Sequence, residues 1–554
     1  MPHLSISRSP LHFTLAMDYQ RLNNERITGT KIAPYDMITA VTQRAINKQL
    51  EKMHRVNESL QKLSLLSADP EDDYSRLDAD LDAPTIELRL NTENRIVIFC
   101  LNISRATLKY LRIKGRKVLE ESLEIPASTL ALSVNLTFEG VDFAKLPQHV
   151  QDRLKVKNNY SVQQLLVDFT SASLARLDKR RTTVHDHIED LTAKAFFDIF
   201  IEKYFTVLAQ TNEFVLHYVP LANQEFRKKY EMPSVPPTDF TFQNMPFVQN
   251  DKDNGGPSGD NMLVYLQMCN DNGMPKQLLP VSANWVVPTP NNTDRYDGTV
   301  ALSADTFLNG WLLKRLSDFN RSSTWMVTDA YWKAKGLGTQ FYLGGKLGRT
   351  DASESDVKWN ALDPTQVDQN VRNKVNGQIG QWYKYYYYNN KDDDEGLWRV
   401  WQKGTTTNWL FIPEGYNNNG KCEIFVYGNT FIEFYVHVDL PASTGWVNGE
   451  WSTTIVLDGV NDGELIIKAD DINPKITNKV DEAWLHKGEI SVFSKPAEEG
   501  LKRLSMTYII NEMRSVFRNG WDFVLPGGAD FYISKAVFNK EKDLMCELKY
   551  KFNA

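Results

Sequence analysis

Cysteine is scarce in this sequence, and no long apolar run occurs in it. The four cysteines, Cys100, Cys269, Cys422 and Cys546, are far apart and form no CxxC pair, which favours free thiols over a disulfide framework. Nowhere do about 18 apolar residues follow one another, as a membrane-spanning helix requires, and no apolar signal core follows the N-terminus. We therefore expect a soluble protein without a signal peptide or transmembrane segment, either cytoplasmic or released by a non-classical route.

Neither sign of charge dominates the chain. Its 554 residues include 63 Lys plus Arg and 70 Asp plus Glu, a net charge of −7, and no basic stripe interrupts them. Because phosphate binding needs clustered positive charge, nucleic acid is excluded as a partner. With 42% hydrophobic residues the chain can form large cores, and we expect two modules or one elongated double module.

The sequence motifs that commonly reveal catalysis are missing, since there is no P-loop, no HExxH and no GxSxG. The segment GLGTQF begins like a dinucleotide fingerprint at Gly336, but Phe341 stands where the third glycine belongs, which favours a plain loop. The acidic segment from Asp251 resembles a calcium loop, yet its twelfth position is Met262 and not the bidentate Glu, which favours a polar linker. We predict no catalytic residue, no cofactor and no enzymatic activity.

Two clusters of histidine or acidic residues could form a functional site, but each also fits an ordinary structural role. His185 and His187 would point to different faces of a helix, and because the flanking pattern is helical a shared metal ion is disfavoured. The four acids from Asp392 to Glu395 could supply a glycosidase pair, but before Gly396 they favour a solvated turn. We predict no metal site.

Hydrophobic periodicity predicts helices and strands in alternation. Residues 35–56 and 500–518 have apolar residues at helical spacing, which predicts two amphipathic helices. Residues 85–138 alternate apolar and polar residues as strands do, and a helical region is predicted from about 161 to 209. The apolar faces of these helices need a partner surface, and they include Ile38, Val41, Ile46, Leu504, Tyr508, Met513 and Phe517.

A segment rich in Pro, Gly and Asn at residues 231–260 is the best candidate for a boundary. It predicts an N-terminal α+β module at residues 1–230 and a C-terminal β-rich module at residues 261–554. The second module is predicted to end in the helix at 500–518 and strands at 522–552.

An aromatic run, WYKYYYY, starts at Trp382. It fits a strand whose alternate rings enter the core, a platform for stacking sugars, or a patch at a membrane interface. Core packing of alternate members is the default interpretation. The rings that we predict to form an aromatic surface are Trp382, Tyr383, Tyr385 and Trp398.

The C-terminal stretch from Trp521 to Phe552 contains Leu525-Pro526-Gly527-Gly528, Phe531, Phe538, Asp543-Leu544 and Tyr550. In these features it resembles the ending of the OrfX proteins and their forty-seven-kilodalton companion protein, which are encoded in clostridial neurotoxin gene clusters. The segments around Asp36 with Asn47-Lys48, and from Asp297 to Ser303, are similar to the family's opening and central strand. None of these features is a catalytic signature.

The resemblance implies a TULIP fold, which is an α+β, β-rich architecture of long curved antiparallel sheets wrapped around long amphipathic helices. It also implies an apolar groove between sheet and helix, which the seven apolar helix residues from Ile38 to Phe517 would line. It further implies a non-enzymatic protein that binds lipid or another hydrophobic ligand, as an accessory or component of a toxin system, with protein partners encoded nearby and peripheral membrane contact. Two alternatives stay open. One is a scaffold with a sealed core, and the other is a carbohydrate-binding or glycan-active protein that uses the Trp/Tyr-rich region at 382–409.

Overall fold

The structure of the protein is a computed structural model, and its described residues form two compact units. Unit 1 comprises Met1–Ala301, Gly520–Ile533 and Glu547–Ala554, and unit 2 comprises Leu302–Asn519 and Ser534–Cys546. These units do not follow the predicted modules, whose bounds stay a prediction. The described residues are 10–90, 95–154, 160–211, 214–222, 237–249, 258–289, 296–438, 441–461, 464–481, 490–505, 507, 510–511 and 531–551.

Unit 1 combines helices with two antiparallel strand systems. Its helices are α1 (Pro10–Gly29), α2 (Gln43–Val56), α3 (Gln148–Leu154) and α4 (Leu191–Thr211). The strands in this part of the chain are β1 (Met37–Thr42), β2 (Lys62–Leu66), β3 (Arg76–Leu81), β4 (Thr85–Leu88), β5 (Ile96–Lys114), β6 (Lys117–Ile125), β7 (Ser128–Val141), β8 (Tyr160–Asp168), β9 (Val215–Ala222), β10 (Pro237–Met245), β11 (Met262–Cys269) and β12 (Gly298–Leu302).

Unit 2 is built mainly from long hairpins. A π-helix at Asp305–Leu312 leads into α5 (Leu313–Ser323), and α6 (Gln369–Arg372) and α7 (Ile490–Lys502) follow. The strands are β13 (Trp325–Lys335), β14 (Gly338–Leu347), β15 (Asn360–Leu362), β16 (Gly380–Glu395), β17 (Trp398–Pro413), β18 (Cys422–His437), β19 (Ser443–Asn461), β20 (Glu464–Ala469) and β21 (Lys475–Asp481). The last strands of the chain are β22 (Phe531–Phe538) and β23 (Leu544–Tyr550).

The predicted α+β, β-rich class is confirmed. Neighbouring strands are antiparallel throughout the eight-stranded and seven-stranded sheets, and β1 and β10 each pair antiparallel with β11. One sheet has eight strands, with the order β2-β3-β5-β7-β8-β9 and with β4 and β6 paired to β5. A six-stranded sheet has the order β10-β11-β1-β12-β23-β22. In unit 2, seven strands follow the order β15-β16-β17-β18-β19-β20, with β21 paired to β19, and β13 pairs with β14.

Helix α4 packs against the eight-stranded sheet, and its contacts include β2, β3 and β5. The helix is apolar around most of its circumference, so it buries a row of large side chains instead of a narrow stripe. The ring centroid of Phe196 lies 6.0 Å from that of Tyr110 on β5. The fully buried α4 residues include Phe197, Phe200 and Ile201.

The helix predicted at residues 35–56 is wrong at its start, because residues Met37–Thr42 form β1 and α2 begins only at Gln43. Thr42 ends the strand and caps the helix, since its side chain accepts a hydrogen bond from the backbone N–H of Ala45. The spacing of Ile38 and Val41 fits both a helical and a strand repeat. This segment forms a strand because it pairs with β11.

The helical region predicted from about 161 to 209 is wrong in its first part. Residues Tyr160–Asp168 form β8, between β7 and β9, and α4 begins only at Leu191. The intervening chain forms short 3-10 turns, in which the side chain of Asp168 accepts a hydrogen bond from the backbone N–H of Thr170. Pairing with the two neighbouring strands, β7 and β9, thus outweighs the weak helical pattern of this segment. The strands predicted within 85–138 are confirmed as β4, β5 and β7.

The predicted C-terminal helix at 500–518 is interrupted in its described part. Helix α7 ends at Lys502, and a turn follows in which the backbone N–H of Leu504 donates to the carbonyl of Leu501 at 3.2 Å. Residues 507, 510 and 511 are helical again, whereas 512–530 lie outside the described residues. The predicted connection at 231–260 contains β10, and much of the remainder also lies outside the described residues.

Several residues that carry the family resemblance hold strands and helices together. In unit 1, Asp297 accepts a hydrogen bond from the backbone N–H of Tyr550 at 2.8 Å and lies 3.3 Å from Lys48 Nζ. Asn47 exchanges two hydrogen bonds with the backbone of Ile86 on β4, at 2.8 and 3.1 Å. These motif positions are therefore architectural.

The thiols and the helices bear on two further expectations. Cys100, Cys269, Cys422 and Cys546 are all free, as the spacing predicts. Of the helices in the described ranges, none has the length and apolarity needed to cross a bilayer.

Candidate functional site

The residues predicted to line an apolar groove are buried where they are described. Ile38, Val41 and Ile46 are 0% exposed, and Leu504 is 6% exposed. They are core residues at these positions, packed against protein and not facing an open channel. Tyr508, Met513 and Phe517 lie outside the described residues, so a groove that includes them stays a prediction.

The predicted aromatic surface needs correction for three of its four residues. Trp382 is buried against Phe411, with ring centroids 4.9 Å apart, beneath the segment that contains Val367 and Val371. Tyr383 and Tyr385 are also buried, and the loss of solvent raises the pKa of each phenol. These rings belong to the core because a short helical segment covers one face of the sheet and α5 lies at the other.

The inner face of the seven-stranded sheet is closed by a polar network. The hydroxyl of Tyr385 lies 2.8 Å from Oγ1 of Thr324, and Asn408 Nδ2 donates to Oδ1 of Asn320 and Oγ of Ser323, each at 2.8 Å. These side chains are buried and hydrogen-bonded to one another, although Asn408 Oδ1 accepts no hydrogen bond from the described residues, so this face is a structural interior. The other face of the same sheet meets solvent where the segment around Val371 does not cover it.

Two hairpins of unit 2 lie side by side and point the same way. The backbone N–H of Val327 on β13 donates to Asn389 Oδ1 at 2.6 Å, and that of Trp332 donates to Asp393 Oδ2 at 3.0 Å. Successive residues of β13 therefore lie beside successive residues of β16. The β13–β14 turn and the β16–β17 turn consequently lie at the same end.

Each of these turns consists of a glycine followed by a leucine. Gly336 and Gly396 have φ angles of 64° and 70°, a region that favours glycine. Each pair bridges opposed strand residues directly, as two-residue hairpin loops do. Leu337 is fully exposed, at 111%, and Leu397 is 80% exposed. We call Gly336-Leu337 and Gly396-Leu397 the leucine turns.

Aromatic and charged side chains surround the leucine turns. The rings of Trp332 and Trp398 lie 4.8 Å apart, and Trp398 is partly exposed beside Leu397. Lys333 stacks over the ring of Tyr331 at 5.1 Å, and Lys335 immediately precedes Gly336. Trp398 was predicted as a surface ring, but the exposed leucines beside it were not singled out from the sequence.

The acids near the second leucine turn are largely engaged. Arg399 lies 2.7 Å from Asp392 and 3.4 Å from Asp394, and its hydrogen bond to Asp392 raises the pKa of the guanidinium. Asp393 accepts the backbone hydrogen bond from Trp332. Four bases (Lys333, Lys335, Lys391 and Arg399) thus balance the four acids from Asp392 to Glu395 around the two turns.

The other sequence candidates do not converge into a reactive site. His185 Nε2 lies 2.9 Å from Asp198 Oδ1, and the exposed His187 stands in the same 3-10 turn. No group of three or more His, Cys, Asp or Glu side chains able to hold a metal is found within the described residues. Asp251 lies outside them, and the GLGTQF segment is the β13–β14 turn with the first residues of β14.

No protein-family model and no curated protein matches the chain. Among solved structures, it is similar to P47 from Clostridium botulinum A2, with 12% identity and a TM-score of 0.45, over 94% of this chain and 98% of that chain. P47 of Clostridium botulinum E1 matches at 11% identity and a TM-score of 0.41, over 93% and 99% of the two chains.

A lipopolysaccharide binding protein matches with 10% identity and a TM-score of 0.32, over 94% of this chain and 99% of that chain. The structural neighbours include the companion protein whose ending the C-terminal stretch resembles. Likenesses this distant identify no ligand, site or activity.

Proposed function

We propose that this protein works by non-enzymatic binding at a lipid surface, into which the two leucine turns insert. The observation that carries the proposal is the pair of exposed leucines, Leu337 and Leu397, on neighbouring turns at one end of unit 2. The geometry of a two-residue turn with glycine at the first position does not require an apolar residue at the second position. Exposed leucines at both turns therefore suit an apolar environment outside the fold.

The side chains around the turns fit the boundary between lipid and water. Burial of one leucine side chain contributes about 1.5–3 kcal/mol, so two leucines supply a substantial driving force. Tryptophans such as Trp398 favour the headgroup level, and lysines such as Lys333 and Lys335 keep their ammonium groups in water while their stems contact apolar groups. Because the local charges balance, we expect binding to depend only weakly on salt.

This proposal keeps the ligand class that the resemblance implies and changes the place where the ligand binds. A lipid surface at the leucine turns replaces a groove lined by Ile38, Val41 and Ile46, which are packed in the core. A role as an accessory or component of a toxin system, with protein partners encoded nearby, stays a prediction from the resemblance. The alternative of a scaffold protein with a sealed core is compatible with this proposal, because the leucine turns lie on the surface.

Sedimentation with phosphatidylcholine vesicles tests the proposal. The full chain is expected to bind, and Leu337→Ser and Leu397→Ser are each expected to weaken binding about tenfold, since 1.4 kcal/mol corresponds to a factor of ten. Binding should persist at high salt and change little when phosphatidylserine is added.

Leu191→Ser is the matched control, because Leu191 is an equally exposed leucine at the start of α4. This variant should bind vesicles like the unmodified chain. Failure of the unmodified chain to bind vesicles, or equal losses in the control and turn variants, would contradict the proposal. Leucine-dependent dimers without vesicle binding would assign the turns to self-association and would also contradict it.

A further inference from the structure

A cleft of about 240 Å³ lies on the solvent-facing side of the seven-stranded sheet. Strands β17, β18, β19 and β21 contribute to it. Its lining residues are Trp401, Glu433, Phe434, Thr444, Gly445, Trp446, Lys479 and Asp481. The cleft belongs entirely to unit 2.

Strand register brings the side chains of the cleft onto one face. Glu433 is directly opposite Trp446, which is opposite Lys479, so these three form one row across the strands. In the adjacent row, Trp401 is opposite Tyr435, which is opposite Thr444, which is opposite Asp481. Opposed residues share a face of a sheet, and residues two apart along a strand do as well.

Neighbouring rings hold the two tryptophans in place. The ring of Tyr435 stacks on Trp401 with an interplanar angle of 11° and a centroid distance of 5.8 Å. The ring of Phe431 lies 5.9 Å from that of Trp446. Both tryptophans are only partly buried, so each is fixed by its neighbour while part of its surface stays open. Such preorganised rings lose little entropy when a ligand stacks on them.

The floor of the cleft depends on a phenyl ring that lies across a glycine of the paired strand. A Cβ atom at Gly445 would come within 2.3 Å of Cζ of Phe434, so only glycine lets the phenyl ring pass beneath this position. Phe434 is buried in the cluster that contains Val400 and Val436. The floor is thus part of the core, and the cleft is formed without any movement of its base.

Polar groups in the cleft are available to a ligand. Within the part of the chain that the structure describes, the side chains of Glu433, Lys479 and Asp481 form no hydrogen bond or ion pair. Two carboxylates accept hydrogen bonds, an ammonium group donates them, and the hydroxyl of Thr444 can do either. The ligand that matches them carries several hydroxyl groups.

Other ligand classes fit the cleft less well. An acyl chain would leave Glu433 and Asp481 desolvated without partners, and the same carboxylates repel the phosphates of nucleic acid or anionic lipid. A cationic group would compete with Lys403, whose Nζ already lies 4.3 Å from the centroid of the Trp401 ring. A neutral ring with an apolar face and hydroxyl edges meets none of these penalties.

We propose that this cleft binds a single neutral pyranose ring, the terminal sugar of a glycan. Stacking on Trp446 or Trp401 would take the C–H face of the sugar, and Glu433 and Asp481 would accept hydrogen bonds from its hydroxyls. A volume of about 240 Å³ is below the roughly 300 Å³ at which sites for drug-sized ligands begin. One ring therefore fits, with the remainder of the glycan outside.

The sugar could come from a free glycan or from a glycolipid headgroup. Trp401 lies four residues from Leu397 along the chain, which is about 13 Å at roughly 3.3 Å per strand residue. A headgroup at a surface that the leucine turns contact would be within reach of the cleft. The sugar chemistry is the same for both sources, and separate arms of the experiment distinguish them.

Saturation-transfer NMR of the full chain with methyl glucoside, methyl galactoside, methyl mannoside and methyl N-acetylglucosaminide tests the free-sugar arm. At least one glycoside is expected to bind. Trp446→Thr is expected to weaken that binding about tenfold or more, as for other aromatic anchors. Glu433→Gln and Asp481→Asn are expected to weaken it about fivefold each, because hydrogen bonds to charged groups are stronger than neutral ones.

Trp409→Thr is the matched control, because Trp409 is a partly buried tryptophan on the same face of β17 but does not line the cleft. Its substitution should leave sugar binding unchanged. The second arm compares phosphatidylcholine vesicles with and without galactosylceramide or glucosylceramide. Added affinity that Trp446→Thr removes supports a glycolipid source, and binding in either arm supports the cleft.

Absence of binding in both arms would overturn the proposal, as would an equal loss in Trp409→Thr and Trp446→Thr. The leucine-turn variants separate this inference from the proposed function. Leu337→Ser and Leu397→Ser should leave the affinity for free methyl glycosides unchanged. The cleft variants, in turn, should leave binding to plain phosphatidylcholine vesicles unchanged.

Discussion

Three hairpins of this protein share one turn geometry but differ in chemistry. In unit 1, Gly115 has a φ of 67° and is followed by Arg116, with Lys114 and Lys117 directly opposed on either side. In unit 2, Gly336 and Gly396 have nearly the same φ, yet leucines follow them. The backbone conformation of the turn requires the shared glycine, whereas the turn does not determine the residue that follows it. That second residue can therefore differ with the surroundings of the turn.

The outward strand faces of the two large sheets differ in the same way. On β5 of unit 1, Thr107 bonds to Glu124 and Arg105 to Asp80. On β18 of unit 2, the outward positions include Phe431 and Tyr435, both partly exposed. A solvated strand face can therefore be built from paired polar residues alone. Folding of a solvent-facing strand surface therefore does not require the aromatic residues that line the outward face of β18.

The largest expected effect contrasts a core ring with an outward ring. Phe200→Ala should lower the free energy of unfolding by about 3–5 kcal/mol, because it opens a cavity between α4 and the sheet. Phe431→Ala should cost only about 1 kcal/mol, because its ring is already partly in water. Urea unfolding measures both. Equal costs would mean that the outward face of unit 2 is a second core and not a recognition surface.

A smaller effect tests whether the three turns are alike. Gly115→Val, Gly336→Val and Gly396→Val should each destabilise the protein by about 1–2 kcal/mol, since a side chain at positive φ clashes with the backbone. Urea unfolding midpoints should fall by similar amounts in all three variants. A much smaller loss at one glycine would show that its turn is not held as the other two are.

The smallest effect concerns the residue after each glycine. Arg116→Leu, Leu337→Arg and Leu397→Arg should each change stability by less than about 0.5 kcal/mol, as exposed substitutions usually do. The two leucine replacements should nevertheless abolish binding to phosphatidylcholine vesicles. A clear loss of stability in Leu337→Arg or Leu397→Arg would instead assign the leucines a role in folding.

Sequence patterns predicted much of the fold where the signal is local. Alternation around Leu130 and Leu132 predicts β7 correctly, because a strand with one buried face repeats every two residues. Ile38 and Val41 were assigned to a helix because their spacing suits either period. Their pairing with Leu266 and Leu263, more than two hundred residues away, cannot be read from a local pattern.

The candidate sites were predicted less well for a related reason. The run from Trp382 was correctly interpreted as a strand with rings in the core, but the rings chosen as exposed were largely buried ones. Which rings face water depends on α5, which lies on one face of the sheet, and on the segment around Val371, which covers only the part of the other face around Trp382. The glycine of GLGTQF was noticed, but the exposure of Leu337 was not inferred.

The sequence by itself determined the β-rich class, the free thiols, the strand periodicity and the positions of glycines that allow tight turns, because these depend on residues close together in the chain. Only the tertiary structure decided which strand face is open, which turns end side by side, and that Trp401, Glu433, Trp446 and Asp481 share one cleft. Register across four strands sets those relations, and register depends on contacts between distant segments.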